Sequence, residues 1–174
     1  MTTKPEKAAT TRKVQPVPKD YGSITPYIIV RGAAQFLDFL KGAFGAVERG
    51  RVYNEDGTIG HAEVWIGDSV VMMFDAKEEW LATPSFLTLY VEDCDAVHQR
   101  AVKAGARTVT EMSNNAWGDR GCRISDPFGN IWWIQTRVED VDEGEIAKRM
   151  MEKEYIANIK QAQETLDREL RSRK

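Results

Sequence analysis

Between Ile24 and Thr136 one order of strand and helix signals occurs twice, and this hidden duplication constrains the fold more than any other feature of the chain. The apolar, β-branched run ITPYIIV reads as a strand. GAAQFLDFLKGAFG follows, with Phe36, Leu40 and Phe44 at helical spacing and a closing glycine. VERGRVY, HAEVWI and VVMMF then supply three strands, separated by the turns NEDG and GDS. The second half repeats this order with the strand SFLTLYV, the helix DCDAVHQRAVKAG and the strands RTVTEM, GCRIS and NIWWIQT. Val30 and Val91 close equivalent strands and Gly45 and Gly105 equivalent helices, so each half is a β-α-β-β-β unit of about sixty residues.

One helix covers only one face of such a unit's sheet. Two units placed edge to edge therefore predict an α+β fold, a curved mixed sheet with helices outside and a concave pocket inside. The expected domain spans 21–141, with modules over 21–75 and 85–137 joined by AKEEWLATP, a short joiner that favours a cup closed within one chain. Residues 1–20 hold three prolines and few apolar side chains and are expected to form a flexible tail. Residues 142–174 read as one long amphipathic helix. Asp142 and Glu145 make a capping-box-like start, and Met151, Tyr155, Ile159, Ala162, Leu166 and Leu170 recur every three or four residues. So narrow a stripe suits packing along a partner or back across the domain, with a homodimer contact the favoured use.

The net charge of −3 gives no broad electrostatic footprint for nucleic acid. No apolar run approaches the roughly 20 residues that span a bilayer, and no signal-peptide pattern is visible in the first twenty residues, so a cytoplasmic location is expected. Two cysteines, Cys94 and Cys122, make neither a disulfide framework nor a four-ligand zinc site.

Strand parity separates candidate site residues from core. Ala62, Val64 and Ile66 are the better core set, which leaves His61, Glu63 and Trp65 facing the concavity or solvent. A histidine with a carboxylate on the same face suits general acid–base chemistry; a solvated pair near a strand end is the plainer alternative. In WGDRGCR, Trp117, Asp119 and Arg123 share a face. Arg123 is expected in the pocket, where it can pair bidentately with a carboxylate or phosphate, while Asp119 and Arg120 are read as hairpin structure. Cys94 opens a helix, a position that can activate a thiol, but no base lies beside it in the sequence.

The motifs TPYIIV, AFGA, GHAEVWIGDSVVM, LYVEDCDA, AGA, WGDR and DPFG resemble the vicinal oxygen chelate superfamily of glyoxalases, bleomycin-resistance proteins, fosfomycin-resistance enzymes and extradiol dioxygenases, and within it the PhnB-like subgroup. The resemblance covers roughly residues 20–141. It implies a metal held in the concavity by His, Glu or Gln from the first and last strands of each half. Those positions fall here on Thr25, Phe86, Trp133 and Met72, or Met73 if the register slips by one. An indole N–H only donates, a phenyl ring has no lone pair, and a thioether is soft, so no metal site is expected. No other cofactor is expected either. Asn130 and Arg137 stand where many members of the subgroup carry histidines. Of the adjacent tryptophans, Trp133 is expected to face the concavity and Trp132 the helices. Tyr27, Met72, Phe86, Thr88, Tyr90, Trp117, Arg123, Trp133 and Gln135 would then line an apolar, aromatic pocket.

Three functions remain open. The first is a metal-independent small-molecule-binding protein, a homodimer that takes an apolar or aromatic ligand. The second is a glyoxalase-like lyase or isomerase using His61 and Glu63 as an acid–base pair. The third is a dimeric interaction module with a closed pocket. Neither nucleic acid nor membrane is an expected partner.

Overall fold

A computed structural model describes residues 15–173, so most of the expected tail lies outside the described residues. The first module runs β1 (Tyr27–Val30), α1 (Ala33–Phe44), β2 (Val47–Tyr53), β3 (Ile59–Ile66) and β4 (Ser69–Asp75). The second runs β5 (Phe86–Tyr90), α2 (Cys94–Lys103), β6 (Arg107–Asn114), β7 (Asp119–Ser125) and β8 (Ile131–Arg137). Each module forms a four-stranded mixed sheet, ordered β1-β4-β3-β2 and β5-β8-β7-β6, with the first strand of each parallel to the last. The α+β duplication is therefore as the sequence predicts.

The helices end where their residues dictate. Gly45 closes α1 in the left-handed region at φ 68°, which spares a side chain the Cβ clash there. Asp93 caps α2 by accepting from Ala96 N–H. The interior faces of both helices meet in one core. Phe36, Leu37, Leu40, Ala62, Val64, Met73, Ala101, Ile124, Trp132 and Ile134 all belong to it. Its joint between modules is aromatic: Phe44 meets Trp132 at 4.8 Å between ring centroids and Phe36 meets Phe128 at 5.2 Å, both edge to face.

The modules thus pack through their helix-covered faces. Among the described residues, no strand of one sheet hydrogen-bonds to the other, and no hydrogen bond or ring contact joins their uncovered faces. The expectation of a cup closed within one chain is corrected: the modules meet through α1 against α2 and through the Phe36–Phe128 and Phe44–Trp132 contacts, and both aromatic faces look away from that core.

The C-terminal helix is present, but not as one element. α3 (Glu143–Arg149) and α4 (Lys153–Arg171) are separated by a break at Met150–Glu152. Asp142 caps α3 by accepting from Glu145 N–H, as expected. Of the two uses expected of the stripe, the single chain shows packing back across the domain. α4 folds back on its own second module, with the Thr110 and Thr165 hydroxyls 2.7 Å apart and Asn158 donating to Asn114 O at 3.1 Å. Glu169 is buried between Arg107 (2.6 Å) and Arg173 (2.9 Å). Met151 and Leu170, at the ends of the predicted stripe, stay exposed, because the contact face is rotated toward Asn158, Thr165 and Glu169.

Two outcomes follow from this packing. Phe36→Ala empties a fully buried site shared by both modules and is expected to cost about 3–5 kcal/mol in urea unfolding. The transition should remain single, and two resolved transitions would contradict the shared core. For Glu169, burial alone raises the carboxyl, but hydrogen bonds from Arg107 and Arg173 outweigh it and hold the group below its usual value. A depressed folded-state value means a contribution present above the unfolded carboxylate range and lost as pH falls through the folded value. Hydrogen exchange along α4, corrected for intrinsic rate, should accelerate as pH drops from about 5 to about 3. Glu169→Gln should show the same acceleration at neutral pH.

Candidate functional site

The face of the second sheet opposite the core, partly covered by α4, is built by alternation on three strands: Phe86, Thr88 and Tyr90 on β5, Asp119, Gly121 and Arg123 on β7, Trp133 and Gln135 on β8. Register sets Trp133 beside both Thr88 and Arg123, and Gln135 beside Tyr90 and Gly121. The two adjacent tryptophans divide as expected. Trp132 is 2% exposed in the core, with its indole N–H donating to Asp126 Oδ2 at 2.9 Å. Trp133 lies on the open face, edge to face with Trp117 at 6.5 Å. The Arg123 guanidinium sits 4.6 Å over the Trp133 ring and 5.9 Å from Phe86.

Asp119 is the hub of this face rather than the hairpin residue the sequence suggests. Only 1% exposed, it accepts from Tyr90 Oη (2.8 Å) and Trp117 Nε1 (3.0 Å), both on Oδ2. Arg137 Nε stands 3.4 Å from its Oδ1, an ion pair without hydrogen-bond geometry. Arg120 is not Asp119's partner but points to the other side and grips Asp95 through Nε and Nη2 at 2.7 and 2.8 Å. Gln135 is 3% exposed and lies across Gly121, where an added Cβ would come within 2.9 Å of Gln135 Cγ. Three buried side-chain polar atoms among the described residues lack a hydrogen-bond partner: Asp119 Oδ1, Arg123 Nε and Gln135 Oε1. All three belong to this one face.

The first module's face carries Tyr27, His61, Glu63, Trp65, Met72 and Phe74. Met73 is fully buried, so Met72 is the residue on the open face and the register does not slip. His61 Nε2 lies 2.9 Å from Glu63 Oε1, and His61 Nδ1 lies 2.9 Å from the Tyr27 hydroxyl. Tyr21 donates to Glu63 Oε2 at 2.6 Å, and Arg49 stands 3.2 Å from the same oxygen. The Tyr21 hydrogen bond, with those of His61 and the Arg49 charge, holds the Glu63 carboxyl below its usual value against the effect of burial. Glu63 is therefore an acceptor at neutral pH, so His61 Nε2 carries the proton and, in the neutral ring, Nδ1 accepts from Tyr27. Both ring nitrogens are occupied, and the hydroxyl of Tyr27 is the end of this relay that reaches the open face.

Tyr21 and Arg49 were not legible as site residues. Tyr21 sits at the edge of the expected tail, and Arg49, stacked on the Tyr21 and Trp65 rings, lies beside the bulge in β2 that breaks its alternation.

At the four positions where the sequence resemblance implies metal ligands, Thr25, Met72, Phe86 and Trp133 offer a hydroxyl, a soft thioether, a phenyl ring and an N–H donor, a set that does not fit a metal ion. Among the described residues no group of three or more His, Cys, Asp or Glu side chains is placed to hold an ion.

Residues 22–134 match the family model described as the glyoxalase/bleomycin resistance protein/dioxygenase superfamily. The chain belongs to this superfamily. An uncharacterized protein of Mycobacterium bovis is 37% identical over 139 residues, covering 74% of this chain and 91% of that protein. Among solved structures, TioX from a Micromonospora species matches with a TM-score of 0.57 at 24% identity, covering 66% of this chain and 97% of that one. The fosfomycin resistance protein FosX of Listeria monocytogenes matches at 0.55 and 14% identity, covering 72% and 97% respectively. A PhnB protein of Bacillus cereus matches at 0.53 and 16%, covering 66% and 99%. At these identities the structures establish the superfamily fold alone.

No helix of the described residues is long and apolar enough to cross a membrane. Neither cysteine adds a nucleophile to the superfamily scaffold. Cys94 is buried with its Sγ 3.3 Å from Arg120 O, and burial, foremost, pushes the Cys122 thiol up to about 12. Both thiols should resist a thiol-specific disulfide reagent at pH about 8 in the native protein and react fully once it is unfolded in denaturant. Rapid native labelling of either would show that the second module opens.

Proposed function

We propose that this protein is a metal-independent small-molecule-binding member of the superfamily, of the bleomycin-resistance kind, that takes an apolar or aromatic ligand on its uncovered sheet faces. The observation that supports this reading is the setting of Trp133, an indole on the face away from the core, flanked by Trp117 and by an arginine that also faces Phe86, at a position where the resemblance implies a metal ligand. Phe86 and Tyr27 are each 49% exposed, a large aromatic area that α4, seated on the β6–β7 side of the second face, leaves open. Each face is half a pocket in a single chain. A homodimer in which one chain's first-module face meets its partner's second-module face supplies the other half and makes the site incomplete without the second copy. The motif set, together with the likeness to the PhnB protein, supports placement in the PhnB-like subgroup, and the absence of a spanning helix among the described residues is in keeping with a cytoplasmic role.

A second reading rests on a separate observation, the Tyr27–His61–Glu63 relay. It supports a lyase or isomerase in which Tyr27 donates or removes the proton and His61 and Glu63 hold its charge state. The closed-pocket interaction module is disfavoured by the exposure of Tyr27, Phe86 and Tyr90.

A tryptophan-fluorescence screen against aromatic metabolites and antibiotics, on protein stripped with chelator, should yield a binder whose affinity survives metal removal. Trp133→Ala should weaken it about tenfold or more, the range of one lost aromatic stack. Light scattering should give twice the chain mass. Affinity restored only by a divalent ion overturns the metal-independent reading, and a monomeric protein that still binds overturns the shared pocket.

A further inference from the structure

Among the described residues, Arg123 is a cation on the second module's face that pairs with no carboxylate. Its Nη1 donates to the main-chain carbonyl of Ala162 in α4 at 2.7 Å. Its Nε is buried without a partner, and Nη2 makes no hydrogen bond among the described residues. The Nε–Nη2 edge is the side of a guanidinium whose two parallel N–H groups match a carboxylate. Leaving a buried charged donor unpaired is costly, and among the described residues nothing pairs with this edge. The carboxylate nearest in kind, Glu63 on the first module's face, has both oxygens engaged, Oε1 by His61 and Oε2 by Tyr21 and Arg49. On the next strand pair the buried acceptor Gln135 Oε1 is also unpartnered.

Resting on the aromatic-ligand reading, we propose that the ligand is a planar aromatic carboxylic acid whose carboxylate takes the Nε–Nη2 edge of Arg123. The conjugated ring extends the guanidinium plane alongside Trp133 toward Phe86 and Thr88, and a ligand N–H or O–H donates to Gln135 Oε1. Ala162 O fixes the guanidinium without neutralising it, so the edge stays oriented and charged.

The test compares 1-naphthoate with 1-naphthamide, rings of equal size that differ in charge, by calorimetric titration of the full chain. Naphthoate should bind at least about tenfold tighter, the strength expected of a charge-assisted pair. Arg123→Gln should bring the naphthoate-to-naphthamide affinity ratio to about one, whatever its effect on naphthamide alone, and Trp133→Ala should weaken both compounds. Equal binding of the two compounds overturns the proposal and leaves the aromatic reading standing, whereas binding of neither removes both. A preference that survives Arg123→Gln also overturns it. Should Arg123→Gln fail to fold, the ¹⁵N-edited spectrum of the native protein decides: naphthoate, and not naphthamide, should shift a single arginine Nε–H resonance.

Discussion

The packing of α1 between the two sheets decides what this protein can do. Phe36, Phe39 and Phe44 reach from the first module to Phe128 and Trp132 of the second, so the helix-covered faces of both sheets are consumed by one core. The alternation of a strand then leaves its other face open, and in both modules that face carries aromatic and polar side chains rather than aliphatic ones. A chain that had closed its own cup would have spent this surface internally. Here it is presented outward in both modules, with α4 covering only the β6–β7 side of the second, which leaves a second copy, a ligand, or both as means of covering the rest.

Most of the fold was legible because two periods coexist in the sequence and each is clean. Ala62, Val64 and Ile66 against His61, Glu63 and Trp65 is a strict two-residue alternation, and the structure divides them as the alternation requires. The Trp132–Trp133 pair could be assigned for the same reason. What alternation cannot carry is the arrangement of one module against another, because a helix that covers its own sheet and one that also packs against a neighbouring sheet have the same apolar face. The break at Met150–Glu152 was hidden in a different way. No proline or glycine marks it, and the helical stripe continues across it in sequence while α4 turns to follow β6.

The candidate site was legible in its residue types and not in its wiring. Arg123, Trp117 and Trp133 could be placed on one face by parity. That Asp119 would accept from Tyr90 and Trp117 depends on β5, β7 and β8 lying side by side, which spacing along the chain does not encode. The same holds for His61. Its carboxylate partner two residues on is visible in the sequence, whereas the Tyr27 hydroxyl on its other nitrogen arrives from a strand 34 positions away. That contact leaves neither ring nitrogen free, so the phenol and not the imidazole is the exposed end of the hydrogen-bonded chain.

The charge pattern of α4 explains why Arg123 remains a cation facing an open surface. The helix is anchored by ion pairs at its far end, where Glu169 bridges Arg107 and Arg173, and its middle presents Ala162 and Thr165 to the sheet. An acidic side chain at either middle position would have satisfied the guanidinium and closed the site. A backbone carbonyl instead contributes a dipole, strong enough to orient Nη1 and too weak to cancel the charge. Burial alone already lowers the proton affinity of this guanidinium, which is the expected cost of holding a charge in an incompletely paired environment. A fold that keeps such a group beside Trp133, with Gln135 and Asp119 also short of hydrogen-bond partners, leaves unsatisfied polar capacity on one wall, and it is this capacity that the proposed aromatic carboxylate would use.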